Sequence, residues 1–120
     1  MLHTMSQIKN YQHINFVPSQ TIAKYAEEGL RLRAQFHRGG TEVGLARAEE
    51  LMSRMALSPE TILRMYSFFA RHEVDKRGKN FGNPLRPSNG FIAWMLWGGD
   101  PAQQWVTSVR LQMKEADMRG

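Results

Sequence analysis

Cysteine is absent from these 120 residues, which removes disulfides, thiolate metal sites and thiol catalysis from consideration. Long apolar runs are missing too, since nothing approaches the ~20 consecutive apolar residues that span a bilayer. The opening MLHTMSQIKNYQH has neither the apolar core nor the small-residue cleavage site of a signal peptide, so a location inside the cell, away from membrane, is expected. Convincing strand alternation and internal repeats are also lacking. Acidic residues are the minority: eleven Asp and Glu stand against sixteen Lys and Arg, for a formal net charge of +5. An excess of this sign suits nucleic acid or an anionic protein partner, and it also keeps a small domain soluble.

What is present is ordinary in bulk and informative in detail. A hydrophobic content of 42% and a charged content of 22% fit one soluble domain with a single modest core. Residues 1–16 are mixed and polar and read as an N-terminal arm; residues 17–120 read as the helical domain. The clearest local signal is Leu57-Ser58-Pro59-Glu60-Thr61. Ser58 can accept from backbone N–H groups of the next turn, Pro59 suits the first helical position, and Glu60 favours the positive end of the helix. One helix therefore ends near Ala56 and another begins at Pro59.

The same cap chemistry punctuates the rest of the chain. Pro18-Ser19 predicts a helix from Gln20 to about His37, with Ile22, Tyr25, Ala26, Gly29, Leu30, Arg33 and Phe36 on its inner face. Gly29 inside it costs ~1 kcal/mol against alanine, which close approach of a neighbouring helix would justify. Gly39-Gly40 stops that helix and Thr41 caps the next, which carries Val43, Ala46, Leu51, Met52 and Met55. The run Arg38-Gly39-Gly40-Thr41 has the elements of an anion seat, but no Gly-Lys-Ser/Thr follows and a tight turn is the better reading. The helix from Pro59 is expected to reach Val74, with Ile62, Met65, Tyr66, Phe69 and Val74 inward. A turn-rich loop, DKRGKNFGNPLRP, follows. Ser88 caps a short helix, NGFIAWMLW, so apolar all round that it is either the central core helix or partly a partner surface. Gly98-Gly99 stops it, and Asp100-Pro101 opens a last helix that frays toward Gly120.

The expected fold is an all-α, compact bundle of about five helices with a helix-turn-helix-like corner. Its core is Leu30, Leu51, Ile62, Met65, Phe69, Ile92, Trp94 and Trp105. At the corner, Leu51, Met55, Leu57, Ile62 and Met65 fall at helix-turn-helix offsets around Ala56, with Thr61 and Arg64 directed outward. Met52 and the long second helix argue against DNA reading there.

Three strings, RGGTEVGLARAEEL (38–51), SPETILRMYSFFARHEVDK (58–76) and PSNGFIAWMLWGGDPAQQW (87–105), together resemble a small domain of bacteriophage and prophage proteins. That domain occurs alone or attached to head-morphogenesis polypeptides and is usually left without an assigned activity. The resemblance spans about residues 16–106. It implies a phage or marine viral source, a place in the infected cell's cytoplasm or the virion, and a non-enzymatic role with no catalytic residue. The family pattern favours a small residue after the aspartate of WGGD, where this chain has Pro101.

The residues themselves point to no catalyst, cofactor or metal. His72, Glu73 and Asp75 are close in sequence, and His72 and Asp75 can share a helix face, but a metal needs a third or fourth ligand. A charged helix end, with Glu73 pairing Arg77 and Asp75 pairing Lys79, is the simpler reading. Phe91, Trp94, Trp97 and Trp105 have the chemistry to stack on bases, although their helical spacing favours core positions. The first expectation is an accessory module whose basic face, Arg38, Arg47, Arg64, Lys76, Arg77, Lys79 and Arg86, contacts DNA or RNA phosphates. The competing expectation is a protein-interaction or virion-assembly module, docking another phage protein through the Phe91–Trp97 helix or the basic loop.

Overall fold

The computed structural model describes residues 10–119. The resulting fold is an all-α bundle in which two helix pairs clasp a short central helix. In chain order these are α1 (Gln20–Phe36), α2 (Glu42–Ser53), α3 (Pro59–His72), a 3-10 turn (Glu73–Arg77), α4 (Asn89–Leu96) and α5 (Gly99–Arg119). No strand is present among the described residues, and none of their helices is long and apolar enough to cross a membrane.

The cap chemistry sets the helix starts. Ser19, Thr41, Ser58 and Ser88 each accept, through the side-chain oxygen, the N–H of the residue three positions on, at 3.0–3.3 Å. Each bond satisfies one of the four orphan donors of a helix start, which stabilises it by about 1 kcal/mol. Gly39 and Gly40 hold φ of 92° and 75°, so the strip before Thr41 is a tight turn that glycine alone enters without strain.

The core forms on α4. Ile92, Trp94, Met95, Leu96 and Trp97 are all buried, and α4 packs against α1, α2, α3, α5 and the 3-10 turn. Its all-round apolarity is thus that of a core helix, and the Phe91–Trp97 stretch is not the exposed partner surface of the competing expectation. Around it α1 pairs with α2 and α3 pairs with α5. α1 and α4 approach one another closely. A Cβ placed on Gly29 would lie 2.5 Å from the Leu96 amide nitrogen, so the two backbones touch where a side chain would keep them apart. Leu51, Ile62, Met65 and Phe69 complete the interior, with Leu30 and Trp105 packed half-buried against it.

Several local expectations are corrected. α3 stops at His72, not Val74. The backbone tightens into the 3-10 turn, His72 Nδ1 meets Asp75 Oδ2 at 3.0 Å, and Val74 is left 59% exposed. Met55 is exposed because its helix has already ended at Ser53, and Leu32 takes a buried place on α1. Tyr25, expected inward, is exposed. Thr61 is buried, 8% exposed, and its hydroxyl accepts from Ser58 rather than facing outward. Glu73 pairs with Lys76 and Gln103, not Arg77, and Asp75 pairs with His72, not Lys79.

The last helix reaches Arg119, and its end does more than fray. Ala116 is buried, and Asp117 accepts from the Tyr11 hydroxyl at 2.8 Å. With Ile14 buried and Leu57 N–H donating to the Phe16 carbonyl at 2.9 Å, residues 10–16 of the arm lie on the bundle; residues 1–9 fall outside the described residues.

Two predictions follow from this packing. Gly29→Ala, which would gain ~1 kcal/mol on an exposed helix, is expected to destabilise the domain by about 1–3 kcal/mol through overpacking. Urea unfolding reads the difference, and a stabilised variant would show that α1 and α4 are not in backbone contact. Burial, reinforced by the hydrogen bond to Asp117 and its charge, raises the Tyr11 phenol from 10.0 to about 12. Because the folded value is raised, this contribution to stability is complete below pH 10 and is lost as pH climbs through about 12. Phenolate absorbance should therefore include a late-ionising component that disappears in Tyr11→Phe; a late component left undiminished by the substitution refutes the docking of the arm.

Candidate interaction groove

The corner at Ser58 holds a surprise in packing. α2 and α3, joined through Arg54 to Ser58, scarcely touch; each instead packs on α4. Helices that share a helix-turn-helix unit pack on one another, whereas these splay. Between them opens a groove of about 1010 Å³.

Three helices supply most of its lining, and the 3-10 turn adds Asp75. Thr41, Val43 and Arg47 come from the start of α2; Leu63, Arg64, Ser67, Phe68 and Arg71 come from α3; Asn89, Gly90, Ala93 and Trp97 come from α4. The α3 positions recur at three- and four-residue spacing, which sets them on one helix face. Val43 and Leu63 are 58% and 43% exposed, an apolar residue from each of the two splayed helices. Small side chains at Thr41, Ser67, Gly90 and Ala93 keep the groove open.

A column of stacked groups stiffens one wall. The Phe68 and Trp97 rings lie 4.3 Å apart at an interplanar angle of 5°, and the His72 imidazole lies 4.4 Å from Phe68 at 29°. Two rings stacked on one phenyl at these separations must take a face each, so Phe68 is held between them. Beyond Trp97 the Arg47 guanidinium sits 5.1 Å from the indole centroid, a cation–π contact. Beyond His72 the column ends in the bond to Asp75.

Charge is concentrated on the rim. Arg47 forms an ion pair with Glu50, and its side chain is only 11% exposed; its Nε is buried without a partner among the described residues. Arg64 pairs with Glu60 at 2.9 Å, with both side chains largely in solvent, where such a pair contributes little and exchanges readily. Arg71 is exposed and has no carboxylate within 4 Å among the described residues.

The seven basic residues expected to form one face are distributed. Arg47 and Arg64 line the groove. Arg38 borders it, donating to Asn89 Oδ1 at 2.7 Å while lying over the Phe36 ring. Lys76 lies outside the lining, 3.0 Å from Asp100 and 4.7 Å from the Trp94 centroid. Burial pulls its ammonium down, but the hydrogen bond and charge of Asp100, with Glu73, outweigh that and hold it above the ordinary lysine value. Arg77, Lys79 and Arg86 are exposed at and beyond the 3-10 turn. Phe81 pins that loop, with its ring edge-on to Phe91 at 5.1 Å.

Two of the four aromatic candidates are taken up in packing: Trp94 is buried, and Trp97 stacks on Phe68 with the Arg47 guanidinium 5.1 Å from its ring centroid, while Phe91 and Trp105 are half-buried. Among the described residues no three His, Asp or Glu side chains converge as metal ligands would; the His72–Asp75 pair stands alone. Reasoning along the chain missed Val43, Leu63, Arg71 and His72 as groove residues. The i, i+4, i+7, i+11 run Glu60, Arg64, Ser67, Arg71 was the available signal for the α3 half. No protein-family model, curated protein or solved structure matches this chain.

Because Phe68 is clamped between two rings and buried, Phe68→Ala should cost about 3–5 kcal/mol, as for other buried Phe truncations. It should also change the Trp97 emission. Retained stability in a denaturant titration would mean that the column is not a structural wall.

Proposed function

We propose that this chain is a non-enzymatic, phage-associated interaction module that docks a partner protein in the groove between α2, α3 and α4. The observation that carries this reading is the groove itself. Exposed Val43 and Leu63 stand beside Arg47, Arg64 and Arg71 over a rigid aromatic wall. An apolar centre with a charged rim is the pattern of protein docking sites, where buried apolar anchors supply affinity and rim charges supply orientation and rate. Phosphate binding asks less of apolar surface and more of free cations. Here Arg47, Arg64 and Lys76 already hold carboxylates.

The nucleic-acid reading keeps one supporting observation. Arg77, Lys79 and Arg86 are exposed on a loop that Phe81 anchors to the core, so three cations are presented on a fixed segment. Contacts of that kind would be weak, salt-dependent and insensitive to sequence.

The two readings separate on Leu63→Glu, a change at a solvent-exposed position that should leave the helical circular-dichroism spectrum intact. Calorimetric titration against head and assembly proteins encoded beside this chain is expected to detect a partner whose affinity falls at least about tenfold in Leu63→Glu, as at an interface anchor. It is expected to be unmoved by the Arg77, Lys79 and Arg86 alanine variants. DNA or RNA binding that weakens steeply from about 50 to 200 mM salt, is lost in the three alanine variants and ignores Leu63→Glu would overturn the protein-docking reading.

A further inference from the structure

The groove's dimensions and chemistry restrict what form a protein partner takes in it. The α3 wall from Glu60 to His72 rises roughly 18 Å at 1.5 Å per residue, which matches about three turns of a docked helix. The small side chains at Thr41, Ser67, Gly90 and Ala93 let an incoming element approach closely, as packed helices do at axis separations of about 8–10 Å.

Backbone accounting then favours helix over extended chain. An extended peptide laid in an apolar groove must place its N–H and C=O groups against donors and acceptors, and in strand addition a sheet edge provides them. No strand exists among the described residues; apart from the isolated N–H groups at the starts of α2 and α4, the wall backbones are paired within their helices and present no edge along which a strand could pair. A helix brings its own hydrogen bonds and needs none from the groove.

Charge completes the description. Arg47 faces the groove from α2, and Arg64 and Arg71 face it from α3, about 10 Å apart along the helix. The two acidic residues in the lining, Glu60 and Asp75, are paired to Arg64 and His72. Three guanidinium groups stand in the lining against these two carboxylates; Arg47 is held by Glu50, so the positive excess open to a partner lies on α3, at Arg71 and the exchangeable Arg64. Resting on the protein-docking reading, we infer that the groove receives an acidic amphipathic helix of a partner protein. Its apolar stripe sits between Val43 and Leu63, and its carboxylates reach Arg64 and Arg71. A partner carboxylate would replace Glu60 on Arg64 with little loss, since both members of that pair are solvent-exposed.

Selection of a 15-residue random peptide library displayed on yeast, using the intact chain as target and Leu63→Glu as counter-target, tests this directly. Expected are groove-dependent ligands with apolar residues at i, i+3 or i+4, and i+7 and with flanking Asp or Glu. Synthesised, they should gain helicity on binding and weaken at least about tenfold against the Arg64→Glu/Arg71→Glu variant. Exchanging their carboxylates for lysine should restore binding to that double variant. Groove-dependent ligands that are extended, basic or indifferent to the charge reversal would overturn the helix inference while leaving protein docking in place. Enrichment that ignores Leu63→Glu, or no enrichment, would sink both.

Discussion

The contact between the backbones of α1 and α4 is what the rest of the architecture depends on. At Gly29 the space where a side chain would start is occupied by the Leu96 backbone. Any larger residue would push α4 outward and separate it from the helices that bury it. With α4 seated, Ile92, Trp94 and Leu96 are buried, α4 touches every other helix, and each of the two helix pairs gains a common surface to pack on. An eight-residue helix is too short to be stable in water by itself. Its order comes from burial on all sides.

That central position decides the shape of the surface. Because α2 and α3 both lean on α4 rather than on each other, the tight joint between them does not produce a tight crossing. The joint is a hinge point of two pairs, and the groove is the gap that remains. Its wall is firm because Phe68 is stacked between Trp97 and His72, with Arg47 and Asp75 closing the two ends. Rigid walls reduce the ordering cost of binding, which is where much of an interface's gross energy is lost. His72, Asp75 and the Trp97 indole, which looked available for chemistry or stacking, are engaged in this wall.

Positive charge plays two different parts in the molecule. Lys76 is structural: it lies over Trp94 and bonds Asp100, which also accepts from the Trp94 indole N–H at 2.9 Å. The aspartate of WGGD, expected to cap the last helix, instead lies in its first turn, which begins at Gly99, and ties α4, the 3-10 turn and α5 together. Arg64 and Arg71, by contrast, stand exposed along one face of α3. A net charge of +5 does not distinguish these roles, because the sum is blind to which cations already face a carboxylate or a ring.

The sequence by itself determined the helices and their starts. Ser19, Thr41, Ser58 and Ser88 act on N–H groups three residues away, and such short-range bonds can be read from neighbours in the chain. The all-α class and the all-round apolarity of the NGFIAWMLW stretch were legible for a similar reason, since both are properties of one segment; that the stretch is the core helix and not partly a partner surface was decided by packing. Tertiary structure alone decided the exposure of Val74 and Met55, the inward turn of Thr61, the partners of Glu73 and Lys76, and the groove with Val43, Leu63, Arg71 and His72 on it. Those outcomes depend on which helices touch and which do not. That is a contest among surfaces far apart in the chain, and no local pattern encodes the losing pair.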